Sequence, residues 1–470
     1  MYTRPHHLNE TISMSNTSTP KGTRDFGAIE MLRRNYIFDT IKEVFRKYGY
    51  LQIETPAQEL LSTLLGKYGD EGDRLLFRIL NSGDFLSKVE DEELEKRDLA
   101  NITKKIAEKG LRYDLTVPFA RYVVQHRNEI QLPFKRFQIQ PVWRADRPQK
   151  GRYREFVQCD ADAVGTDSLL LEMELVEMSE EVFRKLGIRV AFLVNNRKIL
   201  AGIAEVIGTP ERLTELTVAM DKLDKIGEKG VKDELSSRGF SESEIVLFEP
   251  FLRMESQNNE TILATLSQLL SSSAVGMEGV EELRTILALL PPDNEEMKVI
   301  VSPSLARGLS YYTGTIMEIK ALDATIGSIS GGGRYDNLTG IFGVKGLSGV
   351  GISYGADRIY DVMEQLNLFP PALNSTAEIL VVNFGMEEIK ALLPLVRSLR
   401  KNGRKVIVYP DAAKMKKQLS YADALRIPYV IMAGTEELKM GSVTLKDMNT
   451  GDQDEVPQER LLELFPSKER

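Results

Sequence analysis

Residues 134–164 read FKRFQIQPVWRADRPQKGRYREFVQCDADAV, and they indicate the fold more firmly than any other part of the chain. Both ends of this stretch, Phe134–Val142 and Phe156–Val164, have the alternating aromatic and aliphatic residues that are typical of strands. Pro148 and Gly151 mark a turn between them. The pattern therefore predicts an antiparallel hairpin.

The tip of this hairpin carries an unusual charge. From Arg144 to Arg154, five cations stand against one carboxylate, in a chain whose formal net charge is −8. Arginine binds phosphate through a planar, bidentate fork that keeps its charge at physiological pH. Such a tip suits a nucleotide, an RNA backbone or both, and the alternative is a solvated turn that aids solubility.

The composition limits the classes of protein to which the chain can belong. Its 470 residues, 42% of them hydrophobic, predict about two to four domains, each able to bury a core. No run approaches the roughly 18 apolar residues of a membrane span, so a cytoplasmic location is expected. The single cysteine, Cys159, excludes an intrachain disulfide, and only three histidines accompany it, which excludes a Cys/His zinc cluster of normal ligand number.

Breaks in the hydrophobic pattern divide the chain into segments. Ile29–Tyr48 predicts a long amphipathic helix that ends at Gly49, and Ser87–Lys109 predicts a solvated helical excursion. The predicted division is a disordered tail at 1–19, the first part of a core at 20–208, an inserted helical domain at 209–298, the second part of the core at 299–366, a linker at 367–376 and an α/β domain at 377–470.

The last of these segments alternates regularly between strands and helices. Predicted strands at Glu378–Phe384, Lys405–Tyr409 and Tyr429–Met432 enclose predicted helices at Met386–Lys401 and Met415–Leu425, so a parallel sheet is expected. A basic run covers the end of the first helix and the residues just after it, and its simplest interpretation is a solvated helix end, with RNA binding as the alternative. This run comprises Arg397, Arg400, Lys401, Arg404 and Lys405.

Three further segments contain residues suited to binding or catalysis. They are Arg112–Pro118, Leu305–Gly314 and the glycine-rich Gly331–Arg358. Each is weak alone, because Asp-Leu-Thr is commonly a helix cap and Gly-Gly-Gly is often a turn. Together with the hairpin they supply arginines 144, 307 and 358 for a triphosphate, and polar groups at 114, 158 and 162 for an ammonium. That combination suits activation of an amino acid by a nucleotide, in which the substrate carboxylate is the nucleophile and no catalytic histidine or cysteine is needed.

The ordered motifs resemble those of the class II aminoacyl-tRNA synthetases, and specifically the histidyl-tRNA synthetase family. Pro20–Phe26 resembles the N-terminal signature of that family, and Glu54-Thr55-Pro56 ends a segment similar to motif 1. The hairpin resembles motif 2, Leu305–Tyr312 the histidine-specific signature, and Gly349–Arg358 motif 3. The resemblance implies an α+β catalytic core, an antiparallel sheet flanked by helices, with an inserted helical domain and a C-terminal α/β anticodon-binding domain.

The resemblance also implies ligands and site residues. ATP and Mg²⁺ are the expected cofactors, L-histidine and tRNA(His) the expected substrates, and a homodimer that does not bind membranes the expected assembly. Arg144 and Arg307 would be catalytic at the α-phosphate. ATP would be bound by Arg144, Arg152, Tyr153 and Arg358; histidine by Asp114, Thr116, Gln158, Asp162, Arg307, Tyr311 and Tyr312; and tRNA by Arg147, Gln149, Lys150, Arg400 and Lys401.

Four positions depart from the family pattern. Asp114 and Asp162 stand where many bacterial members carry glutamate, and Asp357 and Tyr354 differ from the glutamate and small residue expected in motif 3. The sequence disfavours two alternative functions. A non-catalytic, histidine-sensing regulatory paralogue of ATP phosphoribosyltransferase is disfavoured by the charged site residues and the C-terminal domain. A synthetase for another amino acid is disfavoured by the Leu305–Tyr312 signature.

Overall fold

A computed structural model describes residues 17–149, 151–254, 257–306 and 311–467 of the chain. The chain forms two compact units. The first comprises Ile37–Leu366 with the segment that ends at Asp25, and the second combines Phe26–Tyr36 with Asn367–Arg470. The predicted helical segment at 209–298 thus clusters with the first unit, and most of the predicted tail lies outside the described residues.

The first unit is built on a mixed sheet of eight strands. Neighbouring strands are antiparallel except at the two edges, where the first pair and the last pair are parallel. In spatial order the strands are Leu51–Gln52, Phe134–Trp143, Glu155–Val164, Gly349–Gly355, Ser330–Tyr335, Thr315–Ala321, Val190–Asn196 and Met297–Val301.

The predicted hairpin is confirmed as the second and third strands of this sheet. Its strands are antiparallel over their whole length, from the pair Phe134 and Val164 to the pair Trp143 and Glu155. Successive side chains of a strand point to opposite faces, so Gln158, Asp160 and Asp162 share one face, and Cys159 lies on the other as a buried free thiol.

Helices cover the sheet, and smaller elements flank it. The amphipathic helix predicted at Ile29–Tyr48 is confirmed as Ala28–Lys47, and its buried Phe45 packs against Phe137 and Tyr354 of the sheet at ring-centroid distances of 5.4 and 5.7 Å. The other helices of the core are Thr116–Gln125, Leu170–Leu186, Arg197–Ile207 and Ala356–Gln365, with a short 3-10 helix at Thr339–Phe342.

A separate three-stranded sheet precedes the hairpin, and its central strand is Lys109–Leu111. The excursion predicted at Ser87–Lys109 is helical for much of its length, as expected from its charged, solvated sequence. The elements of this region are the strands Gln58–Leu60 and Arg78–Ile79 and the helices Leu61–Leu64, Gly69–Arg74, Asp91–Lys96 and Leu99–Ile106.

The segment predicted as inserted and helical is confirmed as helical. One start signal is a capping box, in which Ser241 Oγ accepts a hydrogen bond from the Glu244 backbone N and the Glu244 carboxylate accepts one from the Ser241 backbone N. Its helices are Pro210–Arg212 (3-10), Leu213–Met220, Leu223–Ser237, Glu242–Leu252, Asn259–Leu269 and Ala274–Leu289.

The second unit is a small α/β structure with a five-stranded sheet. The three predicted strands pair in parallel, as expected, in the order Val406–Val408, Ile379–Val381, Tyr429–Met432. Two antiparallel strands that sequence reasoning missed, Ser442–Asp447 and Gln453–Pro457, extend this sheet. Its other elements are the helices Met386–Lys401, Met415–Ala424, Thr435–Met440 and Gln458–Leu464 and the 3-10 helix Pro371–Asn374. Among all described residues, no helix is long and apolar enough to cross a membrane.

Candidate active site

In the first unit, a cavity of about 510 Å³ opens on the face of the sheet that carries Gln158. Its size is within the range of small-molecule sites, roughly 300–1,000 Å³. The structure brings together there most of the residues predicted from sequence to bind ATP and histidine. Those on its lining are Asp114, Thr116, Arg144, Arg152, Tyr153, Gln158, Tyr311, Tyr312 and Arg358.

Arg144 is held at the end of the first hairpin strand. Its backbone N donates to the Arg154 carbonyl at 2.9 Å, which continues the hairpin pairing. Its guanidinium Nε donates to the Tyr113 carbonyl at 3.1 Å and lies 4.2 Å from the centre of the Tyr113 ring and 5.1 Å from that of Phe156. Two aromatic rings and a hydrogen bond therefore orient a cation at the cavity.

Asp114 is a buried carboxylate on the same lining. Its Oδ1 accepts hydrogen bonds from the Val117 backbone N at 3.1 Å and the Tyr68 hydroxyl at 3.0 Å. Its Oδ2 accepts one from the Tyr311 hydroxyl at 3.2 Å. Burial raises the pKa of Asp114, while the Val117 hydrogen bond and the nearby Arg144 charge oppose that rise. The arrangement offers a desolvated negative charge to a cationic ligand.

The two tyrosines of the predicted histidine signature form one wall. The rings of Tyr311 and Tyr312 meet edge to face with centroids 5.0 Å apart. Tyr312 also packs over Gly333, where an added Cβ would lie 2.8 Å from the ring. Glycine at this position therefore lets the ring approach the strand, which explains part of the Gly-Gly-Gly sequence.

Gln158 and Asp162 occupy different depths. Gln158 lines the cavity and its Nε2 donates to Ser353 Oγ at 2.6 Å. Asp162 is 3% exposed and absent from the lining; it pairs with the Arg136 guanidinium at 2.7 Å and accepts a hydrogen bond from the Tyr335 hydroxyl at 2.7 Å. The histidine-binding role predicted for Asp162 therefore stays a prediction, and the structure shows this residue anchored beneath the cavity.

Asp160 is a second carboxylate on this buried face. It is 1% exposed and lies between Gln158 and Asp162 in the strand. Burial is the main cause that raises the pKa of Asp160 to about 7; the Asp162 charge adds to the rise and the Arg136 charge opposes it. Because this pKa lies above that of an exposed aspartate, the protonated form is favoured by folding. Its contribution to stability is present below about pH 4 and is lost as the pH rises through about 7.

Replacing Asp160 with asparagine, which imitates the protonated carboxyl, should therefore flatten the pH dependence of stability. The gain in the free energy of unfolding over the unmodified chain should grow from about pH 5 to about pH 8. Each kcal/mol gained should raise the melting temperature by about 2–4 °C. Calorimetric melting curves across this pH range test the prediction, with the exposed Asp323→Asn as the control. Parallel curves for Asp160→Asn and the unmodified chain would contradict it.

Two further arginines that were predicted to bind ATP, Arg152 and Arg358, also line the cavity. Arg358 Nε donates to the Gly151 carbonyl at 2.8 Å, and its Nη1 donates to the Ser328 carbonyl at 2.5 Å. Arg152 lies 3.9 Å from the Asp146 carboxylate across the hairpin loop. Both cations thus lie where the loop meets the motif 3 segment.

The remaining predicted site residues are not brought together here. Arg147 and Gln149 are in the hairpin loop but not on the cavity lining, and Lys150 and Arg307 lie outside the described residues. Arg400 and Lys401 belong to the second unit. The roles predicted for all six remain predictions.

Among the lining side chains that were not predicted from the sequence are Tyr68, Tyr113, Phe156 and Glu318. Phe156 could have been found, because it alternates with Gln158 on one strand and so shares its face. Tyr68 gave no such signal, since it reaches Asp114 from 46 positions earlier in the chain.

The structure also bears on metal binding. Among the described residues, no group of three or more His, Cys, Asp or Glu side chains is placed to hold a metal ion. Four carboxylates stand singly on the cavity lining: Asp114, Asp146, Glu318 and Asp357.

The mixed sheet, the arginine-bearing hairpin and the glycine-rich strand beside it are the architecture of a class II aminoacyl-tRNA synthetase. A family model described as histidyl-tRNA synthetase matches residues 92–359, and a model described as an anticodon binding domain matches residues 378–468. The chain therefore belongs to the histidyl-tRNA synthetase family, and the family resemblance and fold class predicted from sequence are confirmed.

Individual relatives agree with this assignment. The histidine–tRNA ligase of Porphyromonas gingivalis is 59% identical over 444 residues, which cover 94% of this chain and 98% of that protein. The histidine–tRNA ligase of Cytophaga hutchinsonii is 52% identical over 445 residues, covering 94% and 98%. A crystal structure of histidyl-tRNA synthetase from Nostoc sp. PCC 7120 superposes with a TM-score of 0.80 at 30% identity, covering 96% of this chain and 99% of that one.

Proposed function

We propose that this cavity joins L-histidine to ATP as histidyl-adenylate and then transfers the histidyl group to tRNA(His). The observation that carries the proposal is the pair formed by Asp114 and Arg144, a buried carboxylate and an oriented cation on one lining. Asp114 suits the α-ammonium of an amino acid, and Arg144 suits the two anions that must meet, the amino acid carboxylate and the α-phosphate.

In the first step an oxygen of the histidine carboxylate attacks the α-phosphorus, and the bond from that phosphorus to pyrophosphate breaks. Arg144 neutralises charge at the α-phosphate, and Arg358 holds the far end of the triphosphate. In the second step a ribose hydroxyl of the tRNA attacks the histidyl carbonyl and AMP leaves. The protein side chains position the reactants and neutralise negative charge. By family resemblance, Arg307 would help to neutralise the charge of the α-phosphate.

Mg²⁺ is proposed to enter with ATP as part of that substrate. Glu318 is a buried carboxylate, 7% exposed, on the cavity wall and could hold the ion beside the triphosphate. We also propose a cytoplasmic homodimer, supported by the resemblance of the segment ending at Glu54-Thr55-Pro56 to motif 1. Sedimentation of a monomer alone at micromolar concentration would overturn the dimer.

Histidine-dependent exchange of radioactive pyrophosphate into ATP tests the adenylate step directly. The exchange should require histidine and should not occur with the other standard amino acids. Exchange with an amino acid other than histidine would change the substrate, and no exchange with any of them would overturn the proposed chemistry. Charging of a histidine tRNA transcript then tests the second step.

The basic run of the second unit is proposed to bind tRNA, and the structure shows which of its residues can be tested. The Arg400 guanidinium donates to the Val406 carbonyl at 2.9 Å, so replacing it would disturb the fold. Arg397 and Lys401 are exposed on the same helix and make the cleaner test.

Changing Arg397 and Lys401 together to alanine should weaken tRNA binding and flatten its salt dependence. Each lost phosphate contact should reduce the slope of log affinity against log salt by about 0.7–0.9, so the pair should reduce it by about 1.4–1.8. Filter binding over a salt series measures the slope. The control is a pair of exposed lysines in the same unit, Lys390→Ala with Lys439→Ala, each of which is paired with a nearby glutamate. Equal slopes in the two double variants would contradict the prediction.

A further inference from the structure

The segment Pro20–Asp25 lies against the hairpin loop. The Arg154 backbone N donates to the Gly22 carbonyl at 2.9 Å, and Arg154 Nη1 donates to the Lys21 carbonyl at 3.4 Å. Gly22 has a φ of +89°, and a Cβ there would lie 2.8 Å from Arg154 Cγ and 2.9 Å from Pro148 Cγ. A backbone this close and in the left-handed region requires glycine, so the segment is fitted to this loop.

Arg24, two residues further on, joins two parts of the cavity wall. Its guanidinium lies 3.4 Å from the centre of the Tyr153 ring, in the hairpin loop. It also forms an ion pair with Asp357, the residue before Arg358. The other oxygen of Asp357 accepts a hydrogen bond from the Val157 backbone N at 3.0 Å, and this carboxylate is 3% exposed.

These contacts place Arg24 behind the proposed ATP site. Tyr153, Asp357 and Arg358 line the cavity, whereas Arg24 does not. The planar guanidinium serves both partners at once, since its face stacks on the ring and its edge meets the carboxylate. A lysine would keep the charge but could not reproduce this double contact.

We propose that Arg24 is a positioning residue for ATP, which acts through Tyr153 and Asp357 to hold the hairpin loop and the helix Ala356–Gln365 in their ATP-binding arrangement. The inference deepens the proposed function and rests on it. Asp357, which stands where the motif 3 pattern predicts glutamate, thereby acquires a role as the partner of Arg24. Arg24 acts on ATP binding and leaves the histidine end of the cavity, around Asp114, unaffected.

Arg24→Gln should therefore weaken ATP binding selectively. If the competent arrangement falls to about a tenth of the population, the apparent Kd for Mg·ATP should rise about tenfold, because it scales inversely with that fraction. Titration calorimetry on the full chain, with Mg·ATP and separately with histidine, measures both constants. The Kd for histidine should stay within about twofold, and Arg24→Lys should recover part of the loss by keeping the charge beside Asp357.

Arg121→Gln is the matched control for a merely structural effect. Arg121 is also a partly buried arginine, paired at 2.8 Å with the buried carboxylate of Glu59, and it does not line the cavity. Its replacement should lower the melting temperature without changing the Kd for Mg·ATP. A combined Arg24→Gln, Asp357→Asn variant should bind ATP no more weakly than the worse single variant, as expected for two residues acting as one unit.

An unchanged Kd for Mg·ATP in Arg24→Gln would overturn the inference. So would an equal rise in the Kd for histidine, or fully additive losses in the combined variant. Because ATP binding is measured without the exchange reaction, failure of the proposed function has a separate signature, in which the unmodified chain binds ATP but shows no histidine-dependent exchange.

Discussion

Replacing Arg144 with glutamine should slow adenylate formation by about 10²–10³-fold, as the loss of a preorganised donor does in other charge-stabilised reactions. The two anions that react, the histidine carboxylate and the α-phosphate, repel each other. Arg144 is held at the cavity by the Tyr113 carbonyl and by the Tyr113 and Phe156 rings, so its charge needs no rearrangement during the step. Glutamine keeps a polar group of similar reach but removes the cation.

A single-turnover measurement of adenylate formation with saturating substrates separates this effect from binding. Arg144→Lys should fall between the unmodified chain and the glutamine variant, because lysine retains the charge but lacks the planar fork that stacks between the rings. Arg189→Gln is the surface control, since Arg189 pairs with Asp323 where both are exposed, and it should react at the normal rate. A normal single-turnover rate in Arg144→Gln would remove Arg144 from the chemistry.

The elements that could be predicted from sequence are those whose signals are local. The hairpin strands alternate residue by residue, and the helix predicted at Ile29–Tyr48 is followed by Gly49, whose φ of 80° is the left-handed conformation typical of a glycine after a helix. Arg144 could be predicted for the same reason, because it ends a strand with a clear pattern. Each of these inferences needed only a few neighbouring residues.

The depth of each side chain could not be predicted, because it depends on partners far away in the chain. Asp162 has the negative charge expected of a residue that binds an ammonium group. However, the Tyr335 hydroxyl, 173 positions later, donates a hydrogen bond to it, and Arg136 pairs with it from the adjacent strand. A Cβ on Gly351, its cross-strand neighbour, would lie 2.1 Å from the Asp162 carboxylate. The glycine-rich strand thus makes room for this buried carboxylate.

Tyr354 shows how strand alternation resolves one departure from the family pattern. Ser353 faces the cavity, so the next residue, Tyr354, points to the opposite face. There its ring packs 5.7 Å from that of Phe183, and its hydroxyl and Ser179 Oγ lie 2.8 Å apart in a hydrogen bond. The large side chain at this position fills the helix-covered core and leaves the substrate cavity unchanged.

Asp114→Asn should raise the KM for histidine by about 10²–10³-fold, because truncating a buried charge that pairs with a ligand cation costs roughly 3–4 kcal/mol. The substitution is nearly isosteric. The side-chain oxygen can still accept from the Val117 backbone N, and the new amide can donate to the Tyr311 hydroxyl. The fold should therefore persist, and since a neutral group costs less to bury than a carboxylate, the melting temperature should not fall.

The KM for ATP is the internal control for this variant. Arg144 and Arg358 are unchanged in it, so ATP binding should vary by no more than about threefold, within the effect of removing one neighbouring charge. Asp114→Glu keeps the charge and lengthens the side chain by one methylene, to the glutamate that the family pattern leads one to expect at this position. It should recover most of the affinity if the carboxylate contacts the α-ammonium directly. Equal increases in the KM values for histidine and ATP would instead show that Asp114 supports the cavity wall through Tyr68 and Tyr311, and the ammonium would then need another partner.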